Sequence, residues 1–290
     1  MTEDPLFVQE PAKPHTAPPA GSWDTFAHVY GSYEQYPLSD EPKMFLPPEE
    51  ADFAAVRRMH SAIGVDYGVL VQGTSYGTDH SAILAALAAS DKYVGVGIVD
   101  DTLSDAQVHR LHDAGIRGAR FHDLPWLDMH LSVDELERQS RRVAPLGWHL
   151  VLHIMGDYLV EHEAELARLE IPVVIDHLAH LNLTEGLDQP AVKTIQRLLA
   201  TGNWWIRLSN GDRVSREPSG FRDVAPLISL LADTAPERAL WGTDWPHSYY
   251  KKTRMPDDRE LIELLYDAIP DPELRHQILV DNPRALYGKP

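Results

Sequence analysis

His28, His153, His177 and Asp244 each stand at the end of a short strand-like run, in the contexts DTFAH, LVLH, VVIDH and LWGTD. A single histidine in such a place is usually a satisfied structural residue. Several at equivalent ends are different, because their side chains can converge. An imidazole donates, accepts, titrates near neutrality and binds metals; a carboxylate takes up a proton or ligates an ion. Such a set suits water activation and carbonyl polarisation, with or without a divalent metal. Arg120, in GIRGARFHD, and Arg213, just past IRLSN, add guanidinium groups whose paired N–H bonds match a carboxylate. Ser75, in VQGTSYGTD, offers a hydroxyl, although Gly, Ser and Thr also simply build turns. Tyr30, Tyr33, Tyr36, Trp126 and Trp245 read as packing residues that would also suit the wall of a ring-binding pocket.

Composition narrows the chemistry. The chain has 290 residues, 15 histidines and no cysteine, which excludes disulfides, thiolate metal sites and a cysteine nucleophile. Acidic residues outnumber Lys and Arg by 44 to 26, a net charge of −18. Nucleic acid and anionic membranes demand clustered basic residues, so neither is the expected partner. A small anionic molecule in a local positive pocket is expected instead. No apolar run approaches the roughly 20 residues needed to span a bilayer. The N-terminus lacks the basic-then-apolar order of a signal peptide. Cytoplasm is the default location, and a homodimer the base-rate assembly.

The elements that must position these groups follow from periodicity. Eight apolar runs rich in Val, Ile, Leu or Trp are SWDTFAHV, YGVLVQG, KYVGVGIV, GIRGARFHD, WHLVLHI, IPVVIDH, NWWIRLSN and ALWGTDW. Amphipathic segments such as DHSAILAALAAS, SDAQVHRLHDAG and SVDELERQSRRVAPLG lie between them, two of them opening on a serine in the N-cap position. Eight strand–helix units predict an α/β fold of (β/α)8 TIM-barrel type, for which about 250 residues is a typical size. A doubly wound sheet is the competitor, but neither G-x-G-x-x-G nor a P-loop appears. Barrel enzymes carry their chemistry at the C-terminal ends of the strands. Residues 1–21, with Pro5, Pro11, Pro14, Pro18 and Pro19, read as a flexible proline-rich tail, and residues 22–290 as one barrel domain. The closing DPELRHQILVDNPRALYG reads as an extra C-terminal helix and turn.

The stretches DTFAHVYG, GIRGARFHD, WHLVLHIMGD, VIDHLAH, IRLSNGDRVS, LWGTDWPH and DNPRALYG give the chain a resemblance to the amidohydrolase superfamily. It is most similar to the amidohydrolase-related group that includes 2-pyrone-4,6-dicarboxylate hydrolase and sugar-acid lactonases. The resemblance runs from about Trp23 to the C-terminus, with GTDWPH and DNPRALYG its most specific pieces. It implies a hydrolase of a carboxylated cyclic ester. In metal-dependent members the first strand ends D-T-H-x-H, and the histidine pair joins a strand-five histidine and a strand-eight aspartate around a divalent ion. Here the first of that pair is Phe26, leaving His28, His153 and Asp244 as the ligands the resemblance implies if a metal binds. Three protein ligands plus water can make a catalytic zinc site. The pyrone-dicarboxylate hydrolase branch works without metal, so no cofactor is the expectation and one zinc the alternative. The family's D-H-x-G-R after strand six, whose Arg grips a substrate carboxylate, is Asp176-His177-Leu178-Ala179-His180 here. His180 in that place predicts a weaker clamp, one that titrates near neutrality.

The expected mechanism assigns Asp244 as the base that activates water and later protonates the leaving oxygen. His28 and His177 polarise the carbonyl, Arg120 and Arg213 hold the substrate carboxylate, and His153, His180 and Ser75 add hydrogen bonds. The alternatives are a mononuclear zinc amidohydrolase, a lactone isomerase or a decarboxylase on the same barrel, and, in another class, a non-catalytic binder of an acidic metabolite.

Overall fold

In the computed structural model, which describes residues 7–39 and 45–288, the apolar runs become eight parallel strands joined in the order of the sequence. They are β1 Trp23–Ala27, β2 Tyr67–Val71, β3 Tyr93–Ile98, β4 Ile116–Asp123, β5 His149–Ile154, β6 Val173–Ile175, β7 Trp204–Arg207 and β8 Ala239–Leu240. Strand side chains alternate between faces, and one face turns Val69, Val71, Val94, Val96, Val151 and Val174 into a common interior cluster. The other face meets the surrounding helices in a larger apolar layer. The fold is the (β/α)8 TIM barrel.

Local chemistry starts the helices. Ser104 caps Asp105–Asp113 in a reciprocal capping box with Gln107, and Ser132 caps Val133–Val143 by accepting from the Glu135 N–H. Among the described residues no helix is long and apolar enough to cross a membrane.

Strand eight is shorter than its sequence suggests. After Leu240 the chain leaves the ladder and closes the barrel through single bonds: Thr25 N–H to Trp241 O at 3.0 Å, Asp244 N–H to Phe26 O at 2.9 Å, and His28 N–H to Trp245 O at 2.8 Å. Gly242 allows this approach, since a Cβ there would lie 2.8 Å from the Phe26 Cβ. The buried Asp24 carboxylate fastens the seam, accepting from Phe26 N, Thr243 N and Thr243 Oγ1 at 2.9, 3.0 and 2.6 Å. His60 Nε2, at 3.0 Å, completes its partners.

The DNPRALYG motif closes the opposite end. Asn282 Nδ2 donates to the carbonyls of Pro236 and Ala239, both at 2.7 Å. The Tyr287 ring lies against Trp23 and His149, and its hydroxyl accepts from Arg207 at 2.8 Å. This end of a barrel serves stability rather than chemistry. Residues 1–6 of the proline-rich tail lie outside the described residues. Residues 7–21 are laid against the barrel instead of standing free. Phe7 is buried edge-on to Trp245, Ala12 N–H donates to Asp257, and Gly21 N–H donates to Asp66. Proline leaves backbone donors scarce, so the strap is held by a few specific bonds and one aromatic anchor.

Candidate active site

A pocket of about 90 Å³ opens among the C-terminal ends of the strands, walled by His28, Tyr30, Arg120, His153, Arg213 and Asp244. A water needs roughly 10–15 Å³ on that measure, so a small ring fits. An outer pocket of about 260 Å³, with Lys251 and Lys252 on its wall, adjoins it and shares Trp126, His180, Arg213 and Tyr249.

Asp244 sits in a bend with φ of 62°, and its two oxygens are used differently. Oδ1 faces His28 Nε2 at 3.5 Å and His177 Nε2 at 3.9 Å, while Oδ2 accepts from Arg213 Nη2 at 3.2 Å. Burial pushes this carboxyl up, but His177, His28 and Arg213 outweigh it and hold Asp244 well below the usual carboxylate range. His28 donates from Nδ1 to the Val71 carbonyl at 2.8 Å, because a carbonyl can only accept, and this turns Nε2 towards Asp244.

His177 is fully buried and is not on the pocket wall. Its Nδ1 meets Ser209 Oγ at 2.8 Å, and its Nε2 has no hydrogen-bond partner. Burial, with His180, Arg120 and Arg207 nearby, holds it well below an ordinary histidine despite Asp244. It therefore reaches Asp244 rather than the pocket wall. Ser75 is buried and off the wall as well; its neighbours Gly73 and Thr74 line the pocket.

Phe26 occupies the centre of the barrel end. Its ring is edge-on to His28 and His177, with centroids 5.1 and 4.6 Å away. The guanidinium carbons of Arg120 and Arg207 stand 4.8 and 5.0 Å from its centroid, a cation–π contact on each. Arg207 is bonded to Asp176, to Thr25 Oγ1 at 3.0 Å and to Tyr287, all fully or nearly fully buried. Arg120 donates to the Gln72 carbonyl and to His153 Nδ1, each at 3.1 Å, and its Nε, 3.9 Å from Asp176 Oδ2, makes no hydrogen bond.

This arrangement does not fit a metal ion. The ring of Phe26 fills the place of a ligand, both ring nitrogens of His153 are engaged by Arg120 and His180, and two guanidiniums add positive charge. Among the described residues, no group of three His, Asp or Glu is placed to share an ion.

The pocket also holds residues that sequence reasoning did not single out for chemistry. Tyr30, whose hydroxyl burial pushes up to about 12, lies 3.3 Å from Ser248 Oγ and lines the pocket. Asn210 lines it too, at φ 58° just past β7. Tyr30 is expected only as a packing or wall residue, and spacing gives no sign that Asn210 turns inward. Of the other aromatics, Trp126 is on the wall, whereas Trp245 packs under Phe7.

The family model for amidohydrolases matches residues 23–289. The chain belongs to the amidohydrolase family. Within that family it is 36% identical, over 93% of its length and 90% of the relative's, to a 4-sulfomuconolactone hydrolase of Hydrogenophaga intermedia. It is 34% identical, over 97% of its length and 94% of the relative's, to a 2-pyrone-4,6-dicarboxylate hydrolase of Comamonas testosteroni. The apo crystal structure of an Agrobacterium tumefaciens protein superposes on this amidohydrolase with a TM-score of 0.86 at 30% identity, covering 97% of this chain and 98% of the other.

Proposed function

We propose that the protein is a metal-independent hydrolase of a carboxylated cyclic ester, a lactone or pyrone-type ring, with Asp244 as the base. The carrying observation is the setting of Asp244: an ionised carboxylate on the wall of a small pocket, with His28 Nε2 at 3.5 Å and Arg213 at 3.2 Å. The relatives named for a lactone and a pyrone support the substrate class.

The substrate carboxylate binds the N–H groups that Arg120 and Arg213 have left, which fixes the ring carbonyl in place and removes much of the entropic barrier. Water, held against Asp244 Oδ1 and His28 Nε2, attacks the carbonyl carbon as Asp244 takes its proton. The tetrahedral oxyanion accepts hydrogen bonds from the protonated Tyr30 hydroxyl and the Asn210 amide, both on the wall. The ring C–O bond then breaks, and Asp244 returns its proton to the leaving oxygen. A carboxylate held so low is a weak base but, once protonated, a strong donor. That balance suits an ester, whose oxygen leaves more readily than an amine. His177, with Nε2 3.9 Å from Asp244 Oδ1, stands behind the base and is a positioning residue.

The test is Asp244→Asn, assayed against lactones and pyrones with and without a carboxylate. The expected result is a fall in kcat of about 10³-fold with a smaller change in KM. Near-normal turnover by the variant overturns the assignment.

A further inference from the structure

His180 stands where the two pockets meet, with Trp126 edge-on at 5.4 Å between ring centroids. Its Nε2 lies 2.7 Å from His153 Nε2, and His153 Nδ1 lies 3.1 Å from Arg120 Nη2. Donor rules fix every proton in this chain. A guanidinium only donates, so His153 Nδ1 must accept and its hydrogen must be on Nε2. That hydrogen points at His180 Nε2, which must therefore accept. His180 then carries its own hydrogen on Nδ1, a nitrogen with no hydrogen-bond partner among the described residues.

Burial, reinforced by Arg213, pushes His180 down to about 4, and burial next to other cationic and imidazole groups holds His153 well below an ordinary histidine. Both rings are neutral at pH 7. The clamp predicted to titrate near neutrality is a fixed, uncharged donor. The backbone is constrained to present it: His177, Leu178, Ala179 and His180 all have left-handed φ, between 49° and 56°. Such residues are strained individually, and strain of this kind collects at functional positions.

We propose that His180 is a specificity-determining residue whose Nδ1–H, set by the Arg120–His153–His180 hydrogen-bond chain, reads an uncharged oxygen of the substrate, a hydroxyl or carbonyl. An anionic group is not its target, because one neutral N–H replaces the charged fork that an arginine would offer. The substrate class implied is a lactone with one carboxylate, held by the arginines, and a neutral oxygen directed to the outer pocket. This rests on the lactone-hydrolase reading for its kinetic consequence and on geometry for the proton positions.

Two measurements test it on the full-length protein. Long-range ¹H–¹⁵N spectra of the uniformly labelled chain report imidazole tautomers, with His180→Phe identifying the His180 signals. Hydrogen on His180 Nδ1 is expected; hydrogen on Nε2, or an imidazolium at pH 7, overturns the proposal. Secondly, kcat/KM is compared for a carboxylated lactone bearing a hydroxyl and for its deoxy counterpart. Losing one hydrogen bond predicts that His180→Phe shrinks the preference for the hydroxylated lactone by about tenfold. His180→Arg shifts preference towards the dicarboxylated analogue. An equal loss on both lactones overturns the proposal. If the wild type hydrolyses neither, the lactone-hydrolase reading fails, and the same ratio measured as calorimetric Kd values still decides the role of His180.

Discussion

Arg213 donates to Oδ2 of Asp244 at 3.2 Å, so one of the two arginines expected to hold substrate also holds the base. Its other bonds, to the carbonyls of Ser248 and Tyr249, keep it there. Asp244 is active when ionised, and Arg213 is one of the groups that depress it. Removing that charge must raise the carboxyl. Arg213→Met should therefore move the acid limb of the kcat/KM profile to higher pH and lower kcat/KM at pH 7 roughly tenfold or more. A limb that stays in place would show that Asp244 is not the group titrating.

The place of Phe26 gives a prediction about metal. With His153 engaged at both nitrogens and two guanidiniums beside the ring, prolonged dialysis against chelator should leave kcat unchanged. Elemental analysis of purified protein should find far less than one zinc per chain. Phe26→His should not restore a metal site, since it leaves Arg120 and Arg207 in place, and should cost about 3 kcal/mol through lost packing and a polar ring left among cations. Stoichiometric zinc with chelator-sensitive activity would falsify this reading.

His247 anchors the bend that carries Asp244. Its N–H donates to the Asp244 carbonyl at 2.8 Å, and its Nε2 lies 3.1 Å from Asp258 Oδ1 in a fully buried pair. Asp258 opens the helix Asp258–Ala268, so the bend is fastened to a rigid element. His247→Ala leaves Asp258 buried without its partner and should cost about 3–5 kcal/mol, read by urea unfolding. The shape-preserving Asp258→Asn should lose less stability while still lowering kcat more than it raises KM. Unchanged kcat in both variants would detach this pair from catalysis.

Buried neutral histidines set the acid stability. His149 is pushed down to about 3 by burial, His180 to about 4, and His122, His153 and His177 are held well below the ordinary value, burial leading in each case. Their folded pKa values lie below the unfolded 6.5, so unfolding takes up protons in that window. Stability therefore falls as pH drops from about 6.5 towards 4. His247 runs the other way: burial lowers it, but Asp258 prevails and raises it, so its contribution is present at low pH and lost as pH rises. The depressed rings outnumber it. Urea midpoints should drop steadily between pH 7 and pH 5, with uptake of more than one proton on unfolding; a flat profile would contradict the buried neutral assignment.

Hydropathy and spacing were enough to specify the barrel and which side chains stand at its strand ends. Hydrophobic runs of strand length alternating with capped amphipathic segments leave few other folds, and a strand end is fixed by where its apolar run stops. His28, Arg120, His153, His180, Arg213 and Asp244 do meet in one pocket. Tertiary structure decided what each group points at. Alternation predicts facing only while the backbone is extended, and the chain turns left-handed at His177 through His180, Asn210, Asp244 and His247. Those turns put His177 behind Asp244, bring Asn210 into the pocket and aim His180 at His153. Proton positions are further still from the sequence, because they depend on a donor-only guanidinium standing 3.1 Å from one particular ring nitrogen. Phe26 was legible as a missing ligand; that two arginines flank its ring could be seen only once strands one, four and seven faced one another across the barrel.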